Sequence, residues 1–314
     1  MRQRMLSEVL KERFGTKVYK LSLSSGCTCP NRDGTIGVGG CTFCSEGGSG
    51  EFAAPFLPIE EQIRLARQRV DAKIPRRIPA SERRYIAYFQ SFTNTYGEPE
   101  RLYRLYREAV SRPEIAALSV GTRPDCLSPD ILDMLSRLRE WKPVWVELGL
   151  QTMHDRTAER IRRGYSLPVF EDACRSLKEI GAEVIVHVIL GLPGESGEDM
   201  LDTIRYLSGK LPEKKSGARS ASADLPVPDG IKLQQLQILR GTQMAREYEE
   251  EPFPVMTLEE YCGLVKDCLD ILPENVVVHR LTGDGPKSLL IAPLWSADKK
   301  RVLNTMRAVL GAGR

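Results

Sequence analysis

Cys29, Cys41 and Cys44 are spaced C-x11-C-x2-C in the stretch CPNRDGTIGVGGCTFC, which is otherwise dominated by glycine and polar residues. Thiolates grouped this way bind metal. A [4Fe-4S] cluster normally takes four cysteines, so three imply a fourth iron left open to a small molecule, much as catalytic zinc sites keep one position free. Gly34, Gly37, Gly39 and Gly40 let the backbone wrap such a core, and Phe43 would shield it from water. Cys27, two residues before Cys29, extends the set to C-x-C…C-x2-C and leaves open a four-thiolate structural zinc site.

The elements that must position this loop alternate along the chain. A short helix over Leu6–Phe14 precedes a first strand, Lys17–Ser24, and the cysteines follow that strand directly. Helical spacing over Pro58–Lys73 leads through the basic, proline-broken KIPRRIPASERR to a strand at Tyr85–Gln90. Then come helix Glu98–Val110, strand Ile115–Gly121, helix Pro129–Trp141, strand Val144–Leu150, helices within Met153–Ile180 and strand Glu183–Leu190. Helix Ser196–Leu207, strand Ile231–Ile238, helices around Gly241–Glu250 and Leu258–Leu272 and a last strand, Val276–Arg280, complete the pattern. Repeated βα units with Val-, Ile- and Leu-rich strands predict an α/β fold with a parallel sheet. With no glycine-rich dinucleotide fingerprint after the first strand, a complete or partial (β/α) barrel is expected rather than a Rossmann sheet. Residues 208–230, rich in Pro, Gly, Ser, Lys and Ala without apolar period, read as a mobile surface insertion.

With 314 residues, 41% hydrophobic and 28% charged, the chain can bury a sizeable core. Its net charge of +3, from 45 basic against 42 acidic residues, permits nucleic-acid binding without arguing for it. The N-terminal MRQRMLSEVLKERFG lacks an apolar export core, and no run approaches membrane-spanning length. A cytoplasmic location is therefore expected, with no membrane partner. There the eight cysteines stay reduced and clustered thiols mean metal or redox chemistry.

A three-cysteine loop directly after the first barrel strand resembles the radical S-adenosylmethionine (SAM) superfamily. CPNRDGT…GGCTFC, GTRPDCL (121–127), ELGLQT (147–152), RRGY (162–165), GLPGE (191–195) and HRLTGDGPKSLLIAPLW (279–295) look more specifically like its YtqA/YhcC-type branch, related to the radical SAM domain of the Elongator catalytic subunit. The resemblance covers essentially the whole chain. It implies a partial (β/α)6-type radical SAM barrel with short N- and C-terminal extensions. A single domain over 1–314 is expected: an N-terminal helix in 1–16, the barrel in 17–272 with a cluster loop at 25–56, and a C-terminal strand and helix in 273–314. Two departures stand out. Cys27 is not usually cysteine in such proteins, so Cys29, Cys41 and Cys44 are the implied cluster ligands, and the 208–230 insertion is longer than usual. No acetyltransferase domain follows the barrel, so acetyl transfer is not expected.

The resemblance implies a [4Fe-4S] cluster and SAM as cofactors, with reductive cleavage of SAM to a 5′-deoxyadenosyl radical. Thr93 and Asn94 occupy the place where the superfamily binds the SAM amino group. Arg123 offers bidentate geometry to a carboxylate, or else pairs with Asp125. Glu147 and Gln151, an even separation apart along a strand, share one face and could hold ribose or substrate. Arg163 is a candidate for the SAM carboxylate, and Gly191, Pro193 and Gly194 form a tight turn open to close approach by SAM. His187, flanked by hydrocarbon in EVIVHVIL, reads more readily as a core residue than as a ligand. Ser196 and Asp199 form a capping pattern. Cys126, Cys174, Cys262 and Cys268 show no C-x2-C pairing, so no second cluster is indicated. Basic groups at Arg76, Arg77, Arg83 and Arg84, at Arg160, Arg162 and Arg163, and at Lys210, Lys214, Lys215 and Arg219 could follow an RNA backbone. A tRNA wobble uridine is the substrate the kinship favours, with flavodoxin or ferredoxin as the type of one-electron donor. Two other readings stay open: a radical SAM enzyme acting on a porphyrin or other small molecule, and a noncatalytic zinc-stabilised RNA-binding module.

Overall fold

A computed structural model describes residues 3–48, 50–211 and 225–311. Seven parallel strands form one sheet. In spatial order they are β1 (Val18–Leu23), β2 (Arg84–Phe89), β3 (Ile115–Thr122), β4 (Val144–Gln151), β5 (Glu183–Leu190), β6 (Gly230–Gln235) and β8 (Val277–Arg280). Two short strands, β7 (Ile238–Leu239) and β9 (Leu290–Ala292), pair antiparallel beside it. Parallel neighbours need long crossovers. These carry α2 (Ile59–Asp71), α3 (Pro99–Val110), α4 (Pro129–Arg139), α5 (Asp155–Arg160) with α6 (Leu167–Glu179), α7 (Gly197–Leu207), and α8 (Gln243–Glu250) with α9 (Leu258–Ile271). The helix α10 (Lys299–Gly311) follows β9. The curled sheet and its helices are the partial barrel expected from the sequence. One element differs: the strand expected over 231–238 breaks after Gln235, because Ile238 and Leu239 pair with β9 instead of continuing beside β5. Most of the 208–230 insertion, including Lys214, Lys215 and Arg219, lies outside the described residues.

Each strand buries both faces, for different reasons. Outward residues such as Leu21, Leu23, Phe89, Leu118, Val146 and Val186 pack under the helices with Leu102, Tyr106, Leu135, Phe170 and Ile204. Inward residues fall into three layers, two residues apart along every strand, as the pleat requires. The lowest layer is apolar: Val18, Ile86, Ala117, Trp145 and Ile185 pack against Leu6, Leu10 and Phe14 of α1 (Leu6–Phe14). This helix therefore plugs the end of the barrel at the N-termini of the strands, and Met5 bridges to Val278. The cavity opens at the other end.

Local signals begin two of the helices, the first where the sequence predicts. Ser196 and Asp199 form a reciprocal capping box on α7, and Thr257 and Glu260 do so on α9.

Candidate active site

The three cysteines line one cavity of about 630 Å³ at the C-terminal ends of the strands. Their loop is folded by its own groups. Cys29 O accepts from Arg32 N at 2.8 Å, Asn31 O accepts from Gly40 N at 2.8 Å, and Cys41 O accepts from Cys44 N at 2.9 Å. Gly39 and Gly40 adopt φ of 86° and 87°, a region costly for any residue with a Cβ, which turns the chain to deliver Cys41 beside Cys44. Asn31 Nδ2 donates to Arg162 O at 2.6 Å and to Cys41 Sγ at 3.5 Å. Thr42 N donates to Ile161 O at 3.0 Å and Met244 N donates to Thr42 O at 2.9 Å, so the loop is pinned to the segments after α5 and at α8. Phe43 lines the cavity and packs against the apolar group around Ile161 and Met244.

Cys27 is elsewhere. It is buried in the helix-covered core, where Arg101 of α3 donates to its Sγ at 3.4 Å and to Ser25 O at 3.0 Å. The four-thiolate site therefore does not form, because Cys27 turns outward to α3 while the other three turn into the barrel. Among the described residues, no three His, Cys, Asp or Glu side chains gather closely enough to hold a single metal ion. A tetrahedral zinc needs that convergence, whereas a cubane takes each thiolate on a separate iron. Burial pushes the Cys41 thiol up to about 12 and neighbouring Cys44 adds to this, so a metal centre held here would have to supply the positive charge that ionises it. Thr42 Oγ1, between two of the cysteines, is buried with no protein partner.

The other candidates divide into cavity wall and supporting frame. Thr93 lines the cavity. Asn94 does not: its Oδ1 accepts from Ser25 Oγ at 2.6 Å and its Nδ2 donates to Gly121 O at 2.8 Å, tying the cysteine loop to β3. Arg123 lines the cavity with its guanidinium chelating Asp125 at 2.9 and 2.7 Å and donating to Arg163 O at 2.9 Å. Arg163 is 1% exposed and is spent on backbone carbonyls, donating to Leu150 O at 2.9 Å, Thr152 O at 2.7 Å and Tyr165 O at 3.0 Å. It shapes the turn after β4 instead of facing the cavity. The turn from Gly191 to Gly194, with Pro193 buried, closes β5 without lining the cavity; a Cβ on Gly191 would meet Met256 Cε at 2.8 Å. Gln151 lines the cavity as expected, but at φ 63°, a strained conformation for a side-chain-bearing residue, where β4 also slips register against β5. Tyr165 reaches it at 3.2 Å.

The middle inward layer surrounds Glu147 with partners that the sequence pattern does not join to it. Glu147 is fully buried there and accepts from Lys20 Nζ at 3.1 Å, Tyr88 OH at 2.8 Å, Ser119 Oγ at 2.8 Å and His187 Nε2 at 2.9 Å, with Lys232 Nζ paired to the same carboxylate. Burial alone would raise this carboxyl; the ammonium groups of Lys20 and Lys232 and the His187 hydrogen bond override it and hold it well below the usual range. His187 is pushed down to about 4 by burial and by the Lys232 charge, so it is neutral at pH 7 and donates through Nε2. His187 is thus a cavity residue rather than a core one. The partners Lys20 and Lys232 had a signal, since each is a charged residue in the interior of a strand.

A model of the Radical SAM superfamily matches residues 27–207, and one of the Radical_SAM C-terminal domain matches residues 228–310. The chain is 40% identical over 309 residues to YtqA of Bacillus subtilis, covering 98% of this chain and 89% of that protein. It is 25% identical over 175 residues to a tRNA uridine(34) acetyltransferase of Methanocaldococcus infernus, covering 56% of this chain and 30% of that one. In fold it is similar to the archaeal M. infernus Elp3 structure, with a TM-score of 0.63 at 17% identity, over 93% of this chain and 63% of that one.

Proposed function

The chain belongs to the radical SAM superfamily and is a radical SAM enzyme, and we propose that Cys29, Cys41 and Cys44 hold its [4Fe-4S] cluster while the adjoining cavity takes SAM and the C5 side chain of a tRNA wobble uridine. The carrying observation is the sorting of the cysteines, three onto the cavity and Cys27 behind it against Arg101.

When bound, the cluster and SAM supply reductive cleavage of the sulfonium to methionine and a 5′-deoxyadenosyl radical. The chain supplies position and shelter. The Thr93 hydroxyl and the Gln151 amide offer hydrogen bonds from the cavity wall, and Arg123, already paired by Asp125, keeps a fixed cation near the cysteines. Phe43 and Phe92 exclude water from the same space. Asn94 and Arg163 hold the loops that carry these groups.

The tRNA assignment rests on the partial similarity to tRNA uridine(34) acetyltransferases and on exposed basic side chains, among them Arg76, Arg77, Arg160 and Arg162. A one-electron donor of the flavodoxin or ferredoxin type completes the system. Comparative nucleoside mass spectrometry of tRNA from cells with and without the gene tests the substrate. Loss of one wobble-uridine species, with its precursor accumulating, is the expected result; an unchanged profile removes the tRNA reading. Anaerobic reconstitution with iron and sulfide, followed by detection of 5′-deoxyadenosine, tests the chemistry separately.

A further inference from the structure

Besides Arg32 and Arg123 near the cysteines, the cavity is lined by cations carried on the strands themselves. Lys20 of β1 and Arg280 of β8 both line it, and Lys232 of β6 stands behind them with its Nζ on Tyr88 OH at 3.0 Å. One carboxylate, Glu147, serves this group. It is paired with both lysines, and it is enclosed by Tyr88, Ser119 and His187, which bring no negative charge. The other acids on the cavity wall are committed at its rim. Asp284 pairs with Lys299 at 2.6 Å, and Glu51 is bound by Ser45 on the cysteine loop.

Among the described residues, Arg280 is therefore not matched by a carboxylate. Its guanidinium makes one hydrogen bond to them, a long 3.4 Å contact to Gln234 Oε1, and it lies close enough to Tyr88, His187 and Lys232 for its charge to be felt by each. Burial, with Lys20 and Arg280 nearby, pushes Lys232 well below the usual lysine range, so the charge to be matched is that of Lys20 and Arg280 against the one carboxylate of Glu147, an imbalance inside a barrel floored by hydrocarbon that a ligand or water compensates. Gln234 turns its carbonyl oxygen to Arg280, which leaves the remaining donors of the guanidinium for another acceptor.

We infer that the inner end of this cavity is an oxyanion subsite, in which Arg280 and Lys20 receive a carboxylate or a phosphate carried by the substrate. The inference rests on the reading of the cavity as the substrate site and narrows the substrate to one with an anionic group. Arg280 provides the planar fork and Lys20 the point charge. Glu147 holds Lys20 in place and keeps the subsite from being cationic enough to bind any anion indiscriminately.

Calorimetric titration of the full chain with acetate, inorganic phosphate and acetamide, in chloride-free buffer, tests this. Saturable binding of acetate, weakened about tenfold or more in Arg280→Gln and absent for acetamide, supports a carboxylate. The same pattern with phosphate alone supports a phosphate. Binding of neither anion, equal binding of acetamide, or unchanged affinity in an Arg280→Gln protein that melts like the wild type overturns the subsite. So does a loss in Arg280→Gln confined to SAM affinity, which would give the cation to the cofactor. SAM cleavage by the same preparation, read as 5′-deoxyadenosine, separates the two ideas: cleavage without anion binding sinks only the subsite, and anion binding without cleavage sinks only the proposed chemistry.

Discussion

His187 Nε2 lies 2.9 Å from Glu147 Oε2 across neighbouring strands, in a barrel layer where Glu147 has left bulk water and His187 faces the cavity. The histidine is neutral, pushed from 6.5 down to about 4. An unfolded imidazole takes its proton near pH 6.5 and the folded one only near pH 4, so stability is complete above pH 6.5 and declines as the pH falls to 4. The decline for this group amounts to about 3 kcal/mol at most. Urea unfolding across this range should show the slope in the wild type and a shallower one in His187→Gln, which keeps a donor to Glu147; the remaining slope is that of His279, whose imidazole burial also holds well below the usual range. An equal slope in both would mean that the imidazole titrates normally.

Removing the Glu147 charge should be more damaging than removing a surface carboxylate. Glu147→Gln leaves Lys20 and Lys232 uncompensated inside the barrel, at a cost of about 3–5 kcal/mol in denaturant unfolding. Adding Lys232→Met should restore part of that loss, because the buried cation is then absent too. A double variant no more stable than Glu147→Gln would rule out the pairing as the cause.

The cysteines should separate cleanly by iron content. After anaerobic reconstitution, Cys29→Ala, Cys41→Ala and Cys44→Ala should each lose the cluster absorbance. Cys27→Ala should keep it, with stability lowered by about 1–2 kcal/mol for the space left beside Arg101. Equal iron loss in all four variants would return Cys27 to the ligand set.

Thr93 and Asn94 are adjacent and should behave differently. Asn94→Ala takes the acceptor from the Ser25 hydroxyl and the side-chain donor from Gly121 O, which keeps only the bond from the backbone N of residue 94, lowering stability by about 1–3 kcal/mol and making the cluster quicker to lose iron to a chelator. Thr93→Ala should melt almost like the wild type and raise the KM for SAM. If both variants change only KM, the tether from Ser25 to β3 has no structural weight.

Arg163 makes the same kind of contrast with Arg123. Arg163→Lys cannot satisfy carbonyls of Leu150, Thr152 and Tyr165 together, so thermal melting should fall markedly. Arg123→Lys, at the cavity wall, should affect SAM binding more than melting. Wild-type melting for Arg163→Lys, with a selective rise in the KM for SAM, would restore Arg163 to the SAM carboxylate.

The order of strands and helices and the cysteine spacing were legible in the sequence, because both are local. Val-, Ile- and Leu-rich runs alternating with helical spacing specify parallel strands buried on both faces, and Gly39 and Gly40 specify the turn before Cys41 whatever the rest of the chain does. Local pattern also placed Thr93, Arg123, Glu147 and Gln151 at strand ends or on inward faces, and all four line the cavity. What remained hidden depends on which distant strand faces which. Cys27 and Cys29 look equivalent until the barrel closes and turns one toward α3 and the other inward. Arg163 looks like a ligand until the carbonyls of the turn after β4 converge on it. Glu147 meets Lys232 across 85 positions of sequence and Lys20 across 127, contacts made by the curl of the sheet that no window along the chain contains. Tertiary structure decided these sites because the free energy of a buried charge depends on what surrounds it in space.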